Sequence, residues 1–160
     1  CACPESTRGH YGVVKELLPR FQQCDPTAES EVAGLIPGTD LRPADILTQA
    51  LGNTVTALDV GITSPDSSRA GTDCAASMFQ RKIDYYRPYF GVLEQQNIEY
   101  IPLTWSSYCR PHSSTVTVLR TLSKRISRRR GSCLPQHAER HCNRNMAQIR
   151  QTSFLVLAWR

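Results

Sequence analysis

The chain lacks most of the features that would make its chemistry obvious. Its 160 residues hold no apolar run approaching the ~20 residues that span a bilayer, and no segment has the make-up of a secretory signal. No glycine-rich loop is placed to cradle nucleotide phosphates, no Ser, His and Asp arrangement suggests a nucleophilic triad, and no internal repeat is visible. Cysteine is present at positions 1, 3, 24, 74, 109, 133 and 142, but the number is odd and the spacing irregular. Such a set reads as reduced thiols of an intracellular protein rather than a disulfide framework. The chain opens at Cys1 with no initiator methionine, so it is expected to be a piece of something longer.

Charge is more informative once it is divided. Residues 1–109 hold 8 Lys/Arg against 13 Asp/Glu, net −5, whereas residues 110–160 hold 11 Lys/Arg and a single acid, Glu139, net +10. A basic tail on a mildly acidic body implies a polyanionic partner, for which nucleic acid is the obvious chemistry. No membrane partner is implied. A hydrophobic content of 40% allows one globular core with polar extensions. Three segments follow: an N-terminal helical segment over 1–26, an α/β core over 27–110 and a basic helical extension over 111–160.

The stretch Leu41–Pro65, LRPADILTQALGNTVTALDVGITSP, carries the chemistry. Thr56–Thr63 is β-branched with a period of two and reads as a strand. Thr56, Leu58, Val60 and Ile62 take one face, and Ala57, Asp59, Gly61 and Thr63 the other. Aspartate is depleted in strands and resists burial, so Asp59 between Leu58 and Val60 needs a partner such as a cation. A second carboxylate, Asp45, precedes the Gly52-Asn53 turn signal. Two patterns compete there. Pro43–Gly52 suits a short helix with Pro at its start and Gly at its end; as a strand it would pair with Thr56–Thr63 and set Asp45 beside Asp59. Neighbouring carboxylates repel, and a divalent cation relieves the repulsion. Oxygen-only ligands favour Mg²⁺ or Mn²⁺ over zinc.

Around this stretch, Val13, Val14, Leu17, Leu18 and Phe21 give a helix over Tyr11–Gln23, and a short helix is expected across Thr27–Leu35, where Glu31 sits beside Val32 and Leu35. Cys74, Ala75, Met78, Phe79, Ile83 and Tyr86 recur at three and four, a helical stripe with Arg81 and Lys82 beside it. Pro88 ends or kinks that helix. A further helical piece, Tyr89–Gln96, leads to a strand over Ile98–Leu103, and the long helical crossover makes that strand parallel to Ala57–Ile62. Ser113 or Ser114 starts a helix with a seam of Val116, Leu119, Leu122 and Ile126. Arg120, Lys124, Arg125, Arg128, Arg129 and Arg130 lie on or just after it and form a candidate phosphate-contacting set. Few aromatics lie among them, so that helix shows no platform for base stacking.

Zinc has two weak candidate sites. Cys1, Cys3 and His10 supply three ligand types where a closed site needs four, and Cys24 is distant. Farther on, His137 and His141 would share a helix face, but Cys142 turns about 100° away. With Cys133 they read better as incidental residues of a polar helix.

Arg42-Pro43-Ala44-Asp45-Ile46, then twelve residues, then Asp59-Val60-Gly61-Ile62-Thr63-Ser64-Pro65, resembles the PD-(D/E)XK nuclease pattern. It is most similar to the variant found in endonuclease domains of site-specific non-LTR retrotransposons and related reverse-transcriptase polyproteins. The resemblance covers about Glu29–Leu103. It implies a restriction-endonuclease-like α/β fold, a small mixed sheet with flanking helices, followed here by the basic helical extension. It further implies a Mg²⁺- or Mn²⁺-dependent endonuclease cutting DNA phosphodiester bonds, with Glu31, Asp45 and Asp59 as metal ligands and catalytic residues. The family's lysine normally lies two residues after the second carboxylate, which is Gly61 here. In the variant it moves to the next helix, where Lys82 matches in the pattern Lys82-x-x-x-Tyr86. DNA, RNA within a retroelement complex, the rest of a polyprotein and a nuclear location are the implied surroundings. The alternative is a catalytically inactive nucleic-acid-binding remnant.

Overall fold

The computed structural model of the chain describes residues 4–66 and 72–129. The fold is α/β, a four-stranded mixed sheet with flanking helices. The strands are β1 Glu29–Val32, β2 Ala44–Thr48, β3 Val55–Thr63 and β4 Ile98–Ser106, and they lie side by side in chain order. β1–β2 and β2–β3 are antiparallel, whereas β3–β4 is parallel. The parallel step is made by a helical crossover, α2 Cys74–Tyr86, a single 3₁₀ turn at Arg87–Tyr89 and α3 Phe90–Gln95, as the order of elements predicts. Pro88 falls inside the 3₁₀ turn and separates the two helices. Asn97 takes a φ of 57°, the left-handed turn that delivers the chain into β4.

One face of the sheet is the main core. Leu58 and Val60 of β3, Leu103 and Trp105 of β4 and Ile46 of β2 pack there against Val13, Val14, Leu17 and Phe21 of α1 Pro4–Gln22, and against Val118, Leu119, Leu122 and Ile126 of α4 Ser113–Arg129. The seam of α4 keeps the predicted Leu119, Leu122 and Ile126, takes Val118 in place of Val116, and is widened by buried Thr115, Ser123 and Ser127. α1 and α4 are layers of the same core as the sheet. The other face carries a smaller apolar cluster, in which Ala57 and Ala44 meet Tyr86, Leu93 and Ile98. Among the described residues no helix is long and apolar enough to cross a membrane.

Two local expectations change. Residues 29–32 form an edge strand, not part of a helix over Thr27–Leu35. Their side chains are mostly exposed, and what defines them is pairing with β2, through Glu29 with Leu47, Ser30 with Ile46 and Val32 with Ala44. Tertiary pairing of this kind overrides a weak helical pattern. The segment after Pro43 resolves to the strand β2 rather than a helix, because its alternate residues Ala44, Ile46 and Thr48 are buried between β1 and β3.

A buried aspartate holds the turn between α1 and β1. Asp25 accepts hydrogen bonds from the Thr27 amide and hydroxyl, from the Thr48 hydroxyl and from the Gln49 amide. Burial pushes its carboxyl pKa up, but these donors outweigh it, and the group is held below its ordinary value.

A candidate metal and phosphate site at the open edge of β3

The β2–β3 register pairs Ile46 with Leu58, Leu47 with Ala57 and Thr48 with Thr56. Carried one step on, it sets Asp45 opposite Asp59 on a single face, the juxtaposition expected of a hairpin pair. β2 begins at Ala44, so Gly61–Thr63 of β3 keep β4 on one side and have no β2 partner on the other. At this open edge the Val60 amide has no strand carbonyl from β2 to meet, and it donates instead to Asp45 Oδ2 at 2.7 Å.

Four groups converge on the two carboxylates. Lys82 Nζ of α2 donates to Asp59 Oδ1 at 2.5 Å. The Tyr100 hydroxyl of β4 donates to Asp59 Oδ2, also at 2.5 Å. His10 Nε2 of α1 lies 2.9 Å from Asp45 Oδ2, and the Val60 amide completes the set. These partners stand 15 to 41 residues away in sequence, so the site exists only in the folded sheet. Tyr86, four residues after Lys82, is buried and donates to the Arg42 carbonyl at 3.2 Å.

Gly61 and Lys82 share one space. A Cβ built on Gly61 would stand 2.6 Å from Lys82 Cε and 3.2 Å from Met78 Cγ. A side chain on the strand at that position and the lysine arriving from α2 exclude each other as placed. The glycine is what admits the ammonium to Asp59.

The environment drives the two carboxylates apart. Burial raises the Asp59 pKa; the Lys82 charge and the hydrogen bonds from Lys82 and Tyr100 pull against it, and the neighbouring Asp45 charge adds to the rise. For Asp45 burial also acts upward, but the bond and charge from His10, the Val60 amide and the Lys82 charge prevail, and its pKa is lowered. Tyr100 and Tyr86 are both held firmly protonated, first by burial and then by the Asp59 charge. Tyr100 therefore remains a hydrogen-bond donor. The arrangement opens on a cavity of about 510 Å³, lined in part by His10, Tyr11, Asp59, Gly61, Arg81 and Lys82.

Glu31 does not join this group. Continuing the β1–β2 register would set it opposite Asp45, but its φ of 55° takes the backbone into the left-handed region. Its side chain is exposed and faces Arg42, with 3.9 Å between Nη1 and Oε2. His10, from the helix that precedes the sheet, meets Asp45 instead. Cys1 and Cys3, the other candidates for a zinc site with His10, lie outside the described residues. Among the described residues no three His, Cys, Asp or Glu side chains gather as a ready-made metal cage. Asp45 and Asp59 nevertheless suit a hard dication, because Mg²⁺ is usually held by one or two carboxylates with substrate and water oxygens completing its shell. Two acidic groups on one face, one of them resisting ionisation through burial, are the electrostatic deficit that such an ion offsets.

Arg120, Lys124, Arg128 and Arg129 are exposed on α4, and Arg125 is half-buried. α4 packs on the Leu58 and Val60 face of the sheet, opposite the face that carries Asp59. Arg130, Cys133, His137, His141 and Cys142 lie outside the described residues. Sequence reasoning missed His10 as a partner of Asp45 and missed Tyr100. The one signal for Tyr100 was its place in the alternating run Ile98–Leu103. No family model, curated protein or solved structure matches this chain.

Proposed function

We propose that this chain is a metal-dependent endonuclease domain of the PD-(D/E)XK kind, with a restriction-endonuclease-like arrangement, that hydrolyses DNA phosphodiester bonds. One observation carries the reading: Lys82, from the helix after the second carboxylate strand, reaches Asp59 through the space that Gly61 leaves free. The order of elements (carboxylate strand, carboxylate strand, helix with the lysine, parallel strand) supports it as well. So does the resemblance to retroelement endonucleases, which brings with it a polyprotein setting, nuclear DNA and RNA as neighbours.

In this reading Asp45 and Asp59 would hold Mg²⁺ or Mn²⁺. When bound, the ion supplies Lewis-acid polarisation of the phosphoryl group and a more acidic attacking water. The chain's own residues set the stage. His10 and the Val60 amide fix one oxygen of Asp45 and leave its Oδ1 for other contacts. Tyr100 orients Asp59. The Lys82 ammonium lies where it can steady negative charge growing on the phosphate oxygens, an electrostatic contribution that a preorganised donor makes at little reorganisation cost. The exposed cations of α4, on the far side of the sheet, would contact the DNA backbone away from the cut and read no sequence.

The test is nicking of supercoiled plasmid DNA with Mg²⁺ or Mn²⁺. Asp59→Ala and Asp45→Ala are expected to abolish nicking while DNA retention on a gel stays largely intact. The alternative, an inactive nucleic-acid-binding remnant, has its own support, since both oxygens of Asp59 already accept short hydrogen bonds. It predicts salt-sensitive binding and no cut strand in any divalent metal.

A further inference from the structure

The cavity beside Asp59 is larger than a metal ion and one phosphate require. Its volume of about 510 Å³ falls in the range, roughly 300–1,000 Å³, of pockets that seat a small organic molecule. Its rim is aromatic. Tyr11 of α1 and Tyr85 of α2 both line it, and they are 53% and 59% exposed. They are two of the three large hydrophobic side chains left exposed among the described residues. Each is steadied by an edge contact with a neighbouring ring: Tyr11 with His10 at 5.4 Å between centroids and 72° between planes, Tyr85 with Tyr86 at 4.9 Å and 90°. An edge contact braces a ring without covering both of its faces.

The same cavity holds an unpaired cation. Arg81 lines it with no carboxylate in ion-pair distance among the described residues, and its Nε is buried without a hydrogen-bond partner. Its guanidinium instead touches the Met78 sulfur at 3.7 Å. Aromatic faces beside a cation with no counter-charge are the combination that holds an unstacked nucleotide, the ring taking the base and the guanidinium a phosphate.

We infer that Tyr11, Tyr85 and Arg81 form a pocket for an unpaired nucleotide adjoining the scissile phosphate, so that the substrate is DNA with single-stranded character at the cut rather than a fully stacked duplex. The inference deepens the nuclease reading and rests on it for the position of the scissile bond. A stacked duplex keeps each base sandwiched between its neighbours and offers no free face to a tyrosine at the rim, whereas a single strand, a fork or a bulge does. The bases taken are not selected by hydrogen bonds, because the exposed rim is aromatic and every base presents a π-face.

Binding measured without metal separates the two claims. With the full chain in EDTA, fluorescence anisotropy of a labelled oligothymidylate and of a duplex of equal length is followed for wild type, Tyr11→Ala, Tyr85→Ala, Tyr85→Phe and Arg81→Gln. Each alanine variant is expected to weaken single-strand binding by about fivefold or more, with duplex binding changed less than twofold and Tyr85→Phe close to wild type. A single strand carrying 5-iodouracil should photo-crosslink to Tyr11 or Tyr85. Equal loss for both DNAs in the alanine variants, unchanged single-strand binding, or crosslinks confined to the basic residues beyond 119 would overturn the pocket. Single-strand binding that depends on the tyrosines with no cut in Mg²⁺ or Mn²⁺ would leave the pocket standing and remove the nuclease.

Discussion

Neighbouring residues of β3 belong to opposite chemistries. Leu58 faces a core shared by α1, β4 and α4 and is fully buried. Asp59, one step on, is almost as buried, at 6% exposed, yet it meets an ammonium, a phenol and a second carboxylate. The Leu58 face gains by removing apolar area from water, at about 25 cal/mol per Å². The Asp59 face takes a charge out of water and only partly offsets the penalty, which is why burial wins and the Asp59 pKa rises. Ala57, on the same face as Asp59, packs into the second apolar cluster, so the contrast belongs to Asp59 and not to its whole face. A carboxylate buried at a cost beside an open cavity is the observation that motivates the functional reading proposed above.

The sharpest way to break this contrast is substitution on each face of the same strand. Leu58→Ala is expected to cost about 2–5 kcal/mol by denaturant unfolding, the range for emptying a well-packed site. Asp59→Asn should leave stability unchanged or raise it at neutral pH. The sign follows from its raised pKa: the folded state holds the Asp59 proton more tightly than the unfolded chain does. Its ionisation therefore subtracts stability as pH climbs from the unfolded value through the folded pKa, above which the loss is complete, and a neutral side chain avoids that loss. Destabilisation of Asp59→Asn comparable to Leu58→Ala would make Asp59 a structural ion-pair residue and dissolve the difference between the faces.

Next in size is an effect on rate. Lys82→Ala is expected to slow Mg²⁺-dependent nicking by about 10²–10³-fold, the usual loss for one preorganised donor at a developing charge. Because Gly61 and Lys82 compete for one volume, the double change Gly61→Lys with Lys82→Ala should recover part of that loss by moving the ammonium back to the strand. No recovery would mean that Lys82 acts only as a counter-ion to Asp59.

Asp25 provides a control, a buried carboxylate that does not line the cavity beside Asp59. Its four donors are all structural, so Asp25→Ala should lose about 1–3 kcal/mol, much of it from the Thr48 hydroxyl and Gln49 amide left unpaired, with no effect on metal binding. Its pKa is lowered, so its contribution is present above the unfolded value near 3.9 and disappears as pH falls through the folded value. The stability difference between the wild type and this variant should therefore begin to shrink as pH falls below about 3.9.

The smallest expected change in stability belongs to Gly61→Ala, at under about 1 kcal/mol. The atom it meets first is the far end of a flexible lysine, which can swing aside, whereas Met78 gives only slightly. Nicking should nevertheless fall toward the Lys82→Ala level, because the lysine that moves is the one at Asp59.

Much of this architecture was legible because burial imposes its own period. β3, α2 and β4 each present alternating or helical apolar positions, and the βαβ rule made β3 and β4 parallel. The Gly52-Asn53 turn made the Asp45–Asp59 pairing readable as one of two options, and the structure takes the strand. β1 was not legible. An edge strand of sequence Glu29-Ser30-Glu31-Val32 buries almost nothing, so it leaves no period to detect. Glu31 was placed by its neighbours on a helix that does not form, and its positive φ depends on the pairing on either side. His10 and Tyr100 were silent for another reason. Their roles are contacts across 35 and 41 residues, and the local sequence around each is an ordinary helix or strand.

The most direct measurement is calorimetric titration of Mn²⁺ into the metal-free chain, the Asp45→Asn variant and the Asp59→Asn variant at neutral pH. Saturable binding to the wild type and its loss in both variants are expected, while Asp25→Ala binds as the wild type does. A wild type that takes up no Mn²⁺, or Asp45→Asn and Asp59→Asn variants that bind it undiminished, would mean that the two carboxylates hold no metal.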